Sequence, residues 1–207
     1  MDVPASAPDS ASGRLAEVLA AIDAANADDP HTIVVDGQER PKERAHAELM
    51  SRWVRTLAPD CSDEQLIAAR AHHLRRWAIP RDDYPRDRAG YLRWRSALRR
   101  QHAEDVAGIM RGAGYDEAAI ERVQAIVRKR GLGRDPDVQV HEDALCLVFL
   151  ETQFDQLAAR LGNDDKMIDI LRKTAGKMSP AGLAAAGSLP LSPAGAALLE
   201  RALAPTT

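Results

Sequence analysis

Imidazoles and carboxylates are sparse in this chain, and the candidates for chemistry stand at His46 (or Glu48), His72-His73, His102 and Asp143 (with Glu142). Neutral imidazole nitrogen beside carboxylate oxygen is the donor mix that borderline and harder divalent metals accept, so manganese, cobalt, zinc or iron is the cofactor to expect. Side chains from separate helices that converge inside a bundle are a normal way to build such a site. Each residue also has an ordinary reading. A solitary histidine on a helix is usually a surface or capped side chain, and Asp143 with Glu142 would fit a solvated helical turn.

The richest stretch is residues 66–77, Leu-Ile-Ala-Ala-Arg-Ala-His-His-Leu-Arg-Arg-Trp. Leu66, Ile67, Ala69, Ala71 and Leu74 make a mostly apolar cylinder suited to a helix within a bundle. Polar groups taken from water need partners, so two imidazoles and two guanidiniums are not buried there cheaply. His72 and His73 therefore lie at a wet rim or face a polar pocket that uses them. Adjacent helical positions point about 100° apart, which lets one of the two face a given centre.

Residues 75–100 hold nine arginines, interleaved with Trp77, Tyr84, Tyr91 and Trp94. A guanidinium is planar, always charged, and grips phosphate or carboxylate through paired hydrogen bonds. Arg75, Arg76, Arg81 and Arg95, with Lys129, are the candidates to hold a small anionic substrate, most simply a phosphate ester. The competing reading is self-pairing with Asp82, Asp83, Asp87 and Glu104, or stacking on the aromatic rings. A nucleic-acid partner is not expected, because the whole chain carries net charge −3 and shows no RNA- or DNA-binding motif.

The elements that must position these groups read as helices. Periodic apolar stripes and caps predict helices over residues 14–25, 41–57, 62–77, 89–111, 117–129, 137–161 and 165–178. Ser62-Asp-Glu-Gln65 is a capping box, Pro41 suits a first helical turn, and Asp116 suits an N-cap. Residues 31–40 break the pattern: Thr32-Ile33-Val34-Val35 then Asp36-Gly37 predict a short extended piece entering a tight turn. Two Ser-Pro starts, at Ser179 and Ser192, open short Ala-rich helices. The expected domain plan is a disordered tail over 1–12, a helical domain over 13–178, and short helices over 179–207 packed on it.

Composition agrees with this plan. The chain is 45% hydrophobic but only 4% aromatic, which favours helices over strands. With 28 basic against 31 acidic side chains, no global field draws it to lipid or nucleic acid. Cys61 and Cys146 read as reduced thiols of a cytoplasmic protein. The start lacks the apolar run of a signal peptide, and the longest apolar segment, residues 144–150, is too short to span a bilayer. Membrane partners are not expected, and a homodimer is left open.

Residues 66–74, ending in His72-His73-Leu74, resemble the signature helix of the HD superfamily, metal-dependent phosphohydrolases and their di-iron oxygenase relatives. His46-Ala-Glu-Leu-Met resembles the segment carrying that superfamily's first metal histidine. Gln101-His102-Ala-Glu-Asp-Val-Ala-Gly resembles its histidine-led helix, and Val140-His-Glu-Asp143-Ala-Leu the last helix, whose aspartate closes the metal site. The match runs over about half the chain, residues 42–150. Here the doublet is His-His rather than His-Asp, and Arg128-Lys129-Arg130 stands where active members often carry a histidine pair. Both departures point away from a dinuclear centre.

A closer resemblance, over nearly the whole chain, is to an uncharacterised family known only as domain of unknown function 4202. It rests on residues 73–81, 84–95, 142–151 and 177–179, among them Tyr84-Pro-Arg-Asp-Arg-Ala-Gly-Tyr-Leu-Arg-Trp-Arg95 and Lys177-Met-Ser179.

The joint expectation is an all-α, HD-like orthogonal bundle of about six to eight helices with a short irregular segment near residues 31–40. A divalent metal would sit on His46, His72 or His73, His102 and Asp143. Arg75, Arg76, Arg81, Arg95 and Lys129 would neutralise phosphate oxygens, and Glu48 or Glu142 would act as general base or hold a ligand in place. The rivals are a non-haem iron oxygenase on the same scaffold and a non-catalytic helical binding protein.

Overall fold

Helix caps set most of the element boundaries. In the computed structural model, which describes residues 9–35 and 37–204, Ser62 and Gln65 form the expected reciprocal capping box at the start of α3 (Asp63–Arg70). Asp87 caps α4 (Arg88–Gly112) through the Gly90 N–H, and Asp116 caps α5 (Glu117–Val127) through that of Ala119. Asp135 precedes Pro136 and caps α6 (Pro136–Thr152), with Arg122 of α5 gripping its carboxylate from outside. The chain is all-α apart from one hairpin.

The first helix, α1 (Asp9–Ala27), starts earlier than the apolar stripe suggested, and residues 9–12 belong to it; residues 1–8 of the expected tail lie outside the described residues. Residues 31–41 form a two-stranded antiparallel hairpin, β1 (Thr32–Val35) and β2 (Gln38–Pro41), with Thr32 opposite Pro41 and Val35 opposite Gln38. Asp36 of the expected turn lies outside the described residues, while Gly37 takes φ 73°, which costs glycine nothing. Pro41 then leads into α2 (Lys42–Leu57).

The expected long helix over 137–161 breaks at Gln153 into α6 and α7 (Phe154–Leu161), and α8 (Asp164–Ala175), α9 (Pro180–Gly187) and α10 (Pro193–Leu203) follow. The two Ser-Pro starts share one device. In Ser179-Pro-Ala-Gly182 and Ser192-Pro-Ala-Gly195, the serine caps its helix and also donates to an aspartate, Asp143 and Asp155 respectively. A Cβ on either glycine would meet that aspartate at 2.6 Å and 2.7 Å, so glycine lets each helix end close on a carboxylate.

Side chains of α1, α3, α4 and α5 fill one core around Ile22, Ile67, Leu74, Met110 and Ile126. Those of α6–α10 fill another around Leu147, Phe154, Met167 and Leu171. Met50, Val54, Ala69 and Val148 link α2, α3 and α6 between them. No described helix is long and apolar enough to cross a membrane, and Cys61 and Cys146 are free thiols.

Candidate metal and anion site

Helix α3 stops at Arg70, held by a bidentate grip on Asp23 of α1. Residues 71–75 then turn through successive i→i+3 backbone bonds, from His72 N to Ala69 O and from Leu74 N to Ala71 O. The expected helix over 62–77 is therefore too long, and His72 and His73 lie on a tightened turn. The turn ends at Arg75, whose backbone is left-handed at φ 51°. Asn26 accepts the Arg75 N–H at 3.0 Å and Gln101 donates to its carbonyl at 3.2 Å, so α1 and α4 hold the strained residue from both sides.

This turn brings both members of the doublet inward. Five of the six histidines gather between α2, the turn, α4 and α6. His46 stacks on His73 with ring centroids 4.2 Å apart, and His72 lies 4.6 Å from His73 and 4.8 Å from His141. His102 flanks His73 at 6.0 Å. The sixth, His31, is exposed and bonds Asp29.

Partners on the Nδ1 atoms decide what the rings offer. His73 Nδ1 meets Glu43 Oε2 at 2.9 Å, and His102 Nδ1 donates to the Leu74 carbonyl at 2.8 Å. His72 Nδ1 lies 2.7 Å from His141 Nε2, and if His72 is the donor its Nε2 is a bare acceptor. His102, its Nδ1 proton committed to an oxygen, likewise offers Nε2 as an acceptor, whereas His73 Nε2 lies 3.4 Å from an Arg76 Nη, a contact that a bound ion would displace. Buried Nε2 atoms of His46 and His102 have no partner in the protein. Ligand atoms of His46, His72 and His73 all lie within 4.8 Å of one another.

Burial keeps these rings neutral. It pulls His46 and His102 down to about 4, His141 to about 3, and His72 and His73 well below the ordinary histidine value. Neutral nitrogen is what a divalent ion requires, and three such ligands with room for a further group is the pattern of catalytic rather than structural sites. The donor set fits a single metal ion.

Above the rings lies a small cleft of about 30 Å³, room for a water or an ion, walled by His72, His73, Arg76, Arg95, Arg99 and Lys129 among others. Arg76 sits over the Trp94 ring at 4.7 Å and 3.7 Å from Glu43. On its far side a hollow of about 480 Å³ opens between Lys42, Trp77, Arg81 and Trp94. Glu43 and Arg76 line that hollow too.

Several expected residues stand elsewhere. Asp143 is a correction: its carboxylate accepts from Ser179 N at 2.9 Å, Ser179 Oγ at 2.5 Å and Gln139 Nε2 at 3.0 Å, and docks α9. Two helical steps from His141 rotate it about 200°, so the two cannot face one centre. Glu48 is a second correction for the same reason. Two steps from His46, it pairs with Arg40 and Arg44. Glu142 binds Lys129 in a buried ion pair, with desolvation lowering the Lys129 pKa against the pull of that carboxylate. Arg75 is exposed and lines neither cavity, and Arg81 donates to the carbonyls of Tyr84 and Pro85.

Three groups fall outside the expected set: Glu43, His141 and Arg99, the last on the cleft wall. Glu43 lies three residues before His46, a spacing that puts both on one helical face and was visible in the sequence. His141 is the neighbour of the residues expected to serve on α6, and only the phase of that helix distinguishes it. Comparison with known proteins adds a family: the family described as "Domain of unknown function (DUF4202)" matches residues 16–199. No curated protein and no solved structure matches the chain.

Proposed function

The chain belongs to the DUF4202 family, and from that premise we propose that it is a divalent-metal-dependent hydrolase of a small phosphorylated or otherwise anionic substrate. One observation carries the reading: His46, His72 and His73 bring ligand atoms within 4.8 Å of one another, and His72 and His73 also wall a cleft with Arg76, Arg95, Arg99 and Lys129. His46, His72 and His73 would hold the ion, with His102 beside them. Bound there, a divalent ion supplies Lewis-acid polarisation of a phosphoryl oxygen and acidifies a water.

The chain's own groups do the rest. Glu43 fixes the ring of His73 through Nδ1, and His141 fixes that of His72 in the same way. No carboxylate belongs to the three-imidazole set, so the charge of the ion is left for an anion to neutralise. Arg76, Arg95 and Arg99, which wall the cleft, would take phosphate oxygens, and Glu142 would hold the charge of Lys129. The resemblance of residues 42–150 to the HD superfamily supports hydrolysis over other chemistry on these ligands.

The test is metal analysis of protein purified without a His tag, together with p-nitrophenyl phosphate turnover. About one equivalent of manganese, cobalt or zinc with turnover is expected, and His46→Gln with His72→Gln should abolish both while circular dichroism stays helical. Tightly held iron with oxygen consumption would move the reading to an oxygenase. A protein that takes up no metal would leave a binding function only.

A further inference from the structure

The competing reading of the arginine stretch, pairing with nearby acids or stacking on aromatic rings, holds for some of it: Arg86 pairs with Asp82, and Arg76, Arg81 and Arg95 lie over Trp94 or Tyr91. Among the described residues, the stretch 75–100 forms only two ion-paired arginines, Arg76 with Glu43 and Arg86 with Asp82. Asp87 is spent on capping α4. Among the described residues, Arg95, Arg99 and Arg100 have no carboxylate within ion-pairing distance, and neither do Arg128 and Arg130 after α5. Lys129 between them turns inward on a left-handed backbone, φ 57°, to reach Glu142.

These five guanidiniums are not dispersed. Arg99, Arg100, Arg128 and Arg130 line one shallow hollow of about 370 Å³ with Ser96 and Glu104. Arg99 also walls the cleft over the imidazoles, beside Arg95. The two cavities thus share a wall, and positive charge runs from the histidines outward. A lone phosphate monoester offers about two negative charges, which the metal ion alone would balance. Five further guanidiniums, with Glu104 the acid among the residues lining the hollow, would accommodate several more.

We propose that the substrate is an oligophosphate, its terminal phosphate over the imidazoles and its remaining phosphates along Arg99, Arg100, Arg128 and Arg130. This rests on the hydrolase reading and narrows it. Water attacks the terminal phosphorus and forms a new P–O bond while the bridging P–O bond breaks. The products are orthophosphate and the shortened chain, with one proton released to solvent. The size of the hollow suits a few phosphates, whereas polynucleotide surfaces are extended stripes.

Calorimetric titration of the full chain, without added metal, with inorganic tripolyphosphate and with orthophosphate tests this. Tripolyphosphate should bind at least about tenfold more tightly, and the ratio should fall to about one in R100Q/R130Q, two exposed positions outside the cores. Equal affinities in the unmodified chain, or an unchanged ratio in the double variant, would overturn it. Tighter binding of oligothymidylate than of tripolyphosphate would also overturn it and assign the face to single-stranded nucleic acid. Failure of the metal-loaded chain to release orthophosphate from tripolyphosphate, with the binding preference intact, would refute the hydrolase reading and leave the anion site standing.

Discussion

Glu43 and Asp143 are both buried acids near the histidines in sequence or space, yet their surroundings give them different work. Glu43 faces His73 and Arg76, so it sets the orientation and tautomer of the His73 ring. Asp143 has both oxygens filled by Ser179 and Gln139, so it holds a helix. Glu43→Gln should weaken metal retention about 10–100-fold with little loss of helical signal. Asp143→Asn should leave metal content unchanged and lower unfolding free energy by about 1–3 kcal/mol, since it strips a charge from a buried hydrogen-bonded cluster. Metal titration and urea denaturation of the two variants measure the contrast. If Asp143→Asn loses the metal first, the assignment of roles is wrong.

Among elements, the turn after α3 decides most. The chain leaves the axis of α3 there, and both rings come against His46, with centroids 5.8 Å and 4.2 Å away. The left-handed Arg75 that ends the turn costs an L-residue about 1–2 kcal/mol, met by Asn26 and Gln101. Glycine takes that conformation freely, and the Arg75 side chain is exposed. Arg75→Gly should therefore match or exceed the parent in stability, by up to about 1 kcal/mol, and leave phosphate capture unchanged. A clear drop in the urea midpoint, or weaker capture, would restore Arg75 to the substrate-binding set.

For the molecule as a whole, the imidazole cluster sits between two cores and makes stability depend on pH. His46 and His102 titrate at about 4 when folded and at about 6.5 when unfolded, because burial penalises the charged ring. As pH falls below about 6.5 the unfolded chain takes up protons that the folded chain refuses. The contribution is fully present above that value and is lost progressively down to about 4, each ring giving up to about 1.4 kcal/mol per pH unit. Urea midpoints of metal-free protein should fall between pH 7 and pH 5, before most carboxylates titrate. A flat profile over that interval would show that the rings are not buried as neutral species.

The helical class, the Ser62 capping box and the Asp116 N-cap are legible locally in the sequence, because periodicity and short-range hydrogen bonding are settled between neighbours in the chain. That histidines from distant segments belong together is an expectation carried by the resemblance to the HD superfamily, since nothing local fixes a long-range meeting. His46, His72, His73 and Arg76 could be picked out because their types are costly to bury without use. Packing between helices is what ends α3 at Arg70, turns His141 rather than Asp143 toward His72, and brings Arg128 and Arg130 beside the arginines of α4. The reason is rotational: one residue of helix phase, or one left-handed residue at a turn, swings a side chain by about 100°, and contacts made from other helices fix that phase.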